Sequence, residues 1–262
     1  VIYDDGQLVD FAVAALVCIG AGAIVWAATR SYKRELRSRD GFLLVTLAWV
    51  LMSAIATVPL LIAIPELSFT DAFFETMSGL STTGATVLVG LEHLPPSINM
   101  WRAALHWYGG MGIIVLVVAV LPLLGVGGMQ LYKAETPGPA KNEKLTPRIT
   151  ETAKALRFIY VLITAACVVS LRVAGMNWYD AIFHGFSTLA LGGFSNYDAS
   201  IGHYDSVAIE VVLIVFMLVS ALNFSRHLIA WQQKSLRTYA TDNEGIAMLW
   251  LLGMSTLLVA LY

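Results

Sequence analysis

Long apolar runs alternate with short polar stretches down the whole chain, and the length of the runs makes them informative. A helix that crosses hydrocarbon needs about 20 predominantly apolar residues. Runs of that size fall at about 7–28, 41–64, 103–124, 157–176, 206–224 and 245–262, and each is predicted to be a membrane-spanning helix. The stretch from Gly41 to Pro65 has no charged residue, and the first run holds only Asp10. Two stretches between the runs behave differently. Residues 65–101 and 173–205 are aromatic and hydroxyl-rich, contain no Lys or Arg, and include segments too short to span a bilayer.

Those two stretches repeat each other. DAFFETMSGLSTTGATV, from Asp71, aligns without a gap on DAIFHGFSTLALGGFSN, from Asp180. Asp71 meets Asp180, Phe74 meets Phe183, Ser78 meets Ser187, Gly84 meets Gly193 and Thr86 meets Ser195, always 109 positions apart. Each copy lies between two apolar spans, so the unit is span, re-entrant segment, span, occurring twice. Internal repeats of this kind underlie many transport folds. The first part of each copy, Asp71 to about Leu80 and Asp180 to about Leu189, is predicted to be a helix of about 15 Å, half a membrane. Asp71 and Asp180 are expected to cap its start, where the helix dipole favours an acid. Its other end then carries partial negative charge into the membrane. The second part, STTGAT or ALGGFS, is non-helical backbone at membrane depth, which is tolerated only where it is buried in protein or lines a wet cavity. Backbone carbonyls backed by a helix C-terminus make a site for a cation. Gly84 and Gly193 supply the backbone angle that turns carbonyls inward. A side chain beyond the glycine, such as Thr86, is expected to matter much less.

Composition agrees with a membrane protein. Hydrophobic residues make up 58% and charged residues 13% of the 262, against about 45–50% and about 25% in soluble domains. A formal net charge of −2 gives no basic excess for nucleic acid. Cys18 and Cys167 both lie in apolar runs and are expected to pack there, neither bridged nor bound to metal. The charges also give an orientation. Of 16 Lys and Arg, 14 fall in the loops after the first, third and fifth spans, which places those loops in the cytoplasm. Arg102 and Arg172 are the exceptions, expected to anchor span ends at the interface. Tyr132–Pro147 reads as a cytoplasmic loop, broken by prolines and charges.

His106 and His184 have no accompanying metal or catalytic motif and are expected to be structural. The glycines of WYGGMG (Gly109, Gly110, Gly112) are expected to let helices approach closely. Glu66, Glu92, Asp198 and Asp205 form an acidic outer surface, which either concentrates cations or is simply solvated. A polytopic membrane enzyme would need facing acids, histidines or a Ser–His pair within the spans, and these are nearly bare. That class and a non-conducting accessory scaffold are the alternatives to cation transport.

STTGATVLVGLEHLP, then WYGGMGIIVLVVAVLPLLGVGGMQLYKAETPGP and STLALGGFSNYDAS, resemble the TrkH/TrkG branch of the Trk/Ktr/HKT potassium transporter superfamily. SRDGFL and TPRITETAKAL fit it as well, so the resemblance runs through nearly the whole chain. It implies an all-α polytopic membrane protein of repeated helix–re-entrant pore loop–helix units, four of them around one pore in the family. Residues 1–40 would hold an N-terminal transmembrane helix and a basic cytoplasmic loop. Residues 41–135 would be the first unit, 136–156 a cytoplasmic linker, 157–230 the second unit, and 231–262 a cytoplasmic loop and the start of a third. The absence of a starting Met and an end inside an apolar run are then expected of a fragment, which alone could not close a fourfold filter. The resemblance places the ion-coordinating backbone at Thr82, Thr83 and Gly84 and at Leu191, Gly192 and Gly193. Gly84, where sodium-passing members carry Ser, implies potassium as the transported ion, with no covalently bound cofactor. It further implies an inner-membrane protein in contact with lipid, a homodimer, and a cytoplasmic nucleotide-binding regulator like TrkA.

Overall fold

A computed structural model describes residues 5–32, 38–116 and 145–262. Among them are ten α-helices and no strand: α1 (Leu8–Thr29), α2 (Ser38–Ala63), α3 (Phe69–Leu80), α4 (Pro96–Val115), α5 (Leu145–Val173), α6 (Trp178–Leu189), α7 (Val207–Ala221), α8 (Phe224–Gln233), α9 (Arg237–Ala240) and α10 (Asn243–Leu261). The protein is an all-α, polytopic membrane protein built from repeated helix–re-entrant segment–helix units. Helical segments Leu8–Thr29, Phe42–Ala63, Glu151–Val173 and Asn243–Leu261 are each long and apolar enough to cross a bilayer. α1 and α10 expose apolar side chains around most of their surface, including Leu16, Ile24, Trp250 and Val259. A helix that is apolar all round is stable only against lipid or a large core.

In the first unit α2 and α4 flank the short α3, and in the second α5 and α7 flank α6. α4 also packs against α6, so it is the element shared by the two re-entrant helices. It starts at Pro96, whose missing N–H costs nothing in a first turn. Arg102, His106, Gly109 and Gly110 all lie on this helix. The second unit has the larger core, with Tyr160, Cys167, Leu171, Met176, Leu189 and Leu213 buried together. Cys18 and Cys167 are both free thiols.

Three boundaries differ from the sequence expectation. α5 begins at Leu145, so residues 145–156 of the expected linker 136–156 are helix. Pro147 falls in the first turn, where it is tolerated, and the following ITETAKAL is rich in good helix formers. The expected span 206–224 is the 15-residue α7, about 22 Å long. It ends in extended backbone at Leu222, and α8 leaves at 91°. The expected loop after Phe224 is therefore largely helical, and a unit boundary at 230 would cut α8. Asn223 starts α8 by accepting the Ser225 amide on its side chain, and His227 and Ala230 bury its inner face. The remaining basic positions Lys33, Arg34, Arg37, Lys133, Lys141 and Lys144, and the 117–124 end of the third expected span, lie outside the described residues.

Candidate functional site

The two re-entrant helices are started and stopped by the same local chemistry. α3 begins after Ser68, whose hydroxyl oxygen accepts the Asp71 amide at 3.1 Å and donates to the Asp71 carboxylate at 2.7 Å. α6 begins after Asn177, which accepts the Asp180 amide and donates to the Asp180 carboxylate, both at 2.8 Å. The caps are thus Ser68 and Asn177, three residues earlier than expected. Asp71 and Asp180 sit three residues inside, closing a reciprocal capping pair. Asp180 is buried and also accepts from Asn196 (2.7 Å) and the Tyr197 hydroxyl (3.3 Å), tying the far end of the loop to the start of its helix.

Each helix ends in the same left-handed turn. The Thr82 and Thr83 amides bond to the Gly79 and Ser78 carbonyls, and 109 positions on Leu191 and Gly192 bond to Thr188 and Ser187. These are the two hydrogen bonds of a Schellman motif. The motif needs a positive φ at the residue after the cap, and Thr82 (+57°) and Leu191 (+54°) adopt it. A second positive φ follows two residues later, at Gly84 (+77°) and Gly193 (+86°). With the amides of 82–83 and 191–192 turned back to the helices, the carbonyls are left over. Among the described residues, no donor reaches the carbonyl oxygens of Thr82, Thr83, Gly84, Leu191, Gly192 or Gly193. The two segments also touch: a Cβ on Gly84 would overlap the Gly192 carbonyl oxygen. All six expected filter residues are therefore brought to one place, behind the partially negative ends of two helices.

A packed and partly charged wall stands behind the segments. The ring of His106 stacks on Phe194 with centroids 4.1 Å apart, its Nδ1 lies 3.2 Å from the Ser187 hydroxyl, and Gly192 has room only for a hydrogen against it. Gly109 lies against Leu80, the last residue of α3, and Gly110 against the Tyr160 hydroxyl and Ala190, the residue that follows α6; a Cβ on either glycine would collide. Arg102 was expected to reach an interface, but it is fully buried and paired with Glu75, which is 1% exposed, at 2.8 Å. The same guanidinium donates to Asn99 Oδ1 (3.0 Å), the Ser195 carbonyl (3.1 Å) and Thr86 Oγ1 (3.3 Å), and lies 4.4 Å from the Phe194 ring centre. Thr86 in turn donates to the Glu75 carboxylate at 2.9 Å, so its side chain is engaged. Removing one member of such a buried pair typically costs about 3–5 kcal/mol. The sequence signal for this cluster was an acid and an arginine in a stretch otherwise bare of intramembrane charge. Arg172 does lie near a span end, donating to the Met176 carbonyl at 3.1 Å beside Trp178.

On the side expected to face outward, Asp198 of the second unit accepts the Leu91 amide at 3.0 Å and the Gly90 amide at 2.7 Å from the first. These two donors hold its carboxyl below the usual range. Glu92 accepts the Asp198 amide at 3.3 Å. Two of the four outer acids thus form a link between units. His184 is buried at the repeat position of Glu75, edge-on to Phe183 and Tyr204.

Comparison with known proteins places this geometry. The family model for TrkH, a cation transport protein, matches residues 8–259. The Trk system potassium uptake protein TrkH of Halomonas elongata is 50% identical over 255 residues, 97% of this chain and 53% of that protein. The protein of the same name from Vibrio parahaemolyticus is 54% identical over 231 residues, covering 88% of this chain and 48% of its own length. The crystal structure of the potassium transporter TrkH from Vibrio parahaemolyticus superposes with a TM-score of 0.83 at 47% identity, over 95% of this chain and 50% of that one. The chain spans about half the length of the curated relatives it matches. These relatives are named for transport and not for an enzyme activity.

Proposed function

Since this chain belongs to the TrkH family of cation transport proteins, we propose that it supplies two of the four filter-bearing units of a potassium uptake protein. It is a multi-pass protein of the cell inner membrane. The observation that carries the reading is the set of six backbone carbonyls, of Thr82, Thr83, Gly84, Leu191, Gly192 and Gly193, with no protein donor among the described residues. Backbone carbonyls left without a donor at membrane depth are costly. A dehydrated potassium ion is the partner that offsets that cost, as oxygens replace its hydration shell. The C-terminal ends of α3 and α6 add partial negative charge beside it. Two units make half a ring, so conduction requires two more.

Residues 1–40 carry an N-terminal transmembrane helix and a cytoplasmic basic segment. Units one and two lie in 41–135 and 157–230, the second carried on through α8, and 231–262 open the third. Potassium is cargo, and no covalent cofactor is involved. The working assembly is a homodimer in lipid with a TrkA-like cytoplasmic subunit and no nucleic acid. The basic residues of 133–157 and 226–237 share the cytoplasmic side and offer that subunit its contact. The test is uptake of rubidium, a potassium surrogate, into liposomes holding the complete four-unit protein. Excess potassium should suppress uptake and equal sodium should not, and liposomes holding this chain alone should take up none. Equal suppression by both ions would overturn the reading.

A further inference from the structure

Arg102 is the one fully buried guanidinium among the described residues, and it touches both filter segments. Its Nε bonds Glu75 of α3, and its Nη2 bonds Thr86, two residues past Gly84. Its Nη1 bonds the carbonyl of Ser195, two residues past Gly193 in the other unit. Ser195 is the repeat mate of Thr86, so one side chain grips the two segments at equivalent points. Glu75 completes the grip by accepting the Val87 amide at 3.1 Å as well as Thr86. The repeat itself does not demand this cluster. At the repeat offset of 109 the second unit has His184 for Glu75 and Val211 for Arg102, so no ion pair recurs there. Fold alone therefore does not explain a buried ion pair in this place.

We infer that Arg102, Glu75 and Thr86 form a positioning cluster that fixes the filter segments of units one and two relative to each other, and so sets ion discrimination. The inference rests on the carbonyl-filter reading above. Discrimination between ions of similar charge depends on where several oxygens stand at once. Two segments hung separately from α3 and α6 would shift independently. A planar guanidinium with five donors in a rigid fork can hold an acid, an amide oxygen, a hydroxyl and a carbonyl together, and a lysine ammonium cannot. Glu75 also cancels the Arg102 charge, which would otherwise stand unpaired at membrane depth and repel a cation.

The cluster predicts separate signatures for its members, measured with the complete protein in liposomes by rubidium and lithium uptake. Arg102→Lys keeps the charge and loses the fork. Its rubidium-to-lithium ratio should fall about tenfold, equivalent to about 1.4 kcal/mol of differential binding. Glu75→Gln leaves the positive charge uncompensated and should raise the rubidium concentration for half-maximal uptake more than it lowers maximal uptake. Thr86→Val should lower the ratio, and Thr86→Ser should restore it. A merely structural role would reduce maximal uptake through lost protein and leave the ratio and half-saturation unchanged. Gly84→Ala serves as the control for the filter itself. If it lowers the ratio while Arg102→Lys and Thr86→Val stay within about twofold of the parent, a change worth only ~0.4 kcal/mol, the cluster is not a positioning device and the filter reading stands. If all the variants, Gly84→Ala included, keep the parent ratio, the filter reading falls and this inference with it. Should Arg102→Lys fail to elute as a single species in detergent, the Thr86→Val and Thr86→Ser pair decides, since both keep the buried charges.

Discussion

Gly84 and Thr82 lie two residues apart on one segment, both with positive φ, and opposite substitutions there should have opposite consequences. Gly84→Ala puts a Cβ on a backbone at φ +77°. That conformation costs an L-residue about 1–2 kcal/mol. The new methyl would also overlap the Gly192 carbonyl oxygen of the neighbouring unit, so one segment must move aside. A tenfold loss of selectivity needs only about 1.4 kcal/mol, no more than the strain alone. Gly84→Ala should therefore lower the rubidium-to-lithium uptake ratio tenfold or more. Thr82→Gly removes a Cβ from a residue already held at φ +57°. It relieves a similar strain, partly offset by about 0.5–1 kcal/mol of extra chain entropy in the unfolded state. Its carbonyl stays where it was, so selectivity should be unchanged and the melting temperature in detergent equal or slightly higher. Paired uptake assays in liposomes and melting curves in detergent check both. Retained selectivity in Gly84→Ala, or a loss in Thr82→Gly as large as in Gly84→Ala, would show that side chains and not carbonyls coordinate the ion.

Gly109→Ala should destabilise the protein by about 1–3 kcal/mol through overpacking, because its Cβ would meet the Leu80 carbonyl at the end of α3. Gly22→Ala in α1, with open space around it, should leave the melting temperature equal or slightly raised. The Asp198 carboxyl is held below its usual range by the Leu91 and Gly90 amides. Its contribution is thus present at neutral pH and lost as pH falls through that lowered value. Exchange of the Gly90 and Leu91 amides should quicken, relative to neighbouring amides, below the ordinary carboxylate range, and in Asp198→Ala it should be fast at every pH. Cysteine at Glu92 should react with an impermeant thiol reagent from outside the cell, and cysteine at Lys234 only from inside. The reverse pattern would invert the topology.

The repeat was legible because it is carried by residue identities at a fixed offset. Gly84 and Gly193 each sit where backbone geometry excludes most side chains, so their alignment located the segments and their glycine angles. The helix starts were harder to place. Ser68 and Asn177 cap equally well but do not match in identity, so the repeat comparison settled on the matching acids Asp71 and Asp180. The positive φ at Thr82 and Leu191 left no trace in the sequence, because neither residue favours it and only the hydrogen bonds of the turn impose it. Glu75 and Arg102 were visible as charges, but their pairing is a matter of α3 packing against α4. Repeat logic even concealed it, since neither residue recurs at its mate. The break between α7 and α8 was hidden for a related reason: VAIEVVLIVFMLVSALNF has unbroken apolar character, and composition does not register a change of direction at Leu222.

The grip of Arg102 on both segments also bears on how a duplicated gene ages. Directly after duplication, two identical units could be exchanged in the chain without loss. Here the first carries Glu75 and Arg102, while the second has His184 and Val211 at the same offset and offers the guanidinium its Ser195 carbonyl. One unit has become the holder and the other the held. Their order along the polypeptide is no longer arbitrary, and a swap of the two would bring Val211 to the wall where the guanidinium now stands.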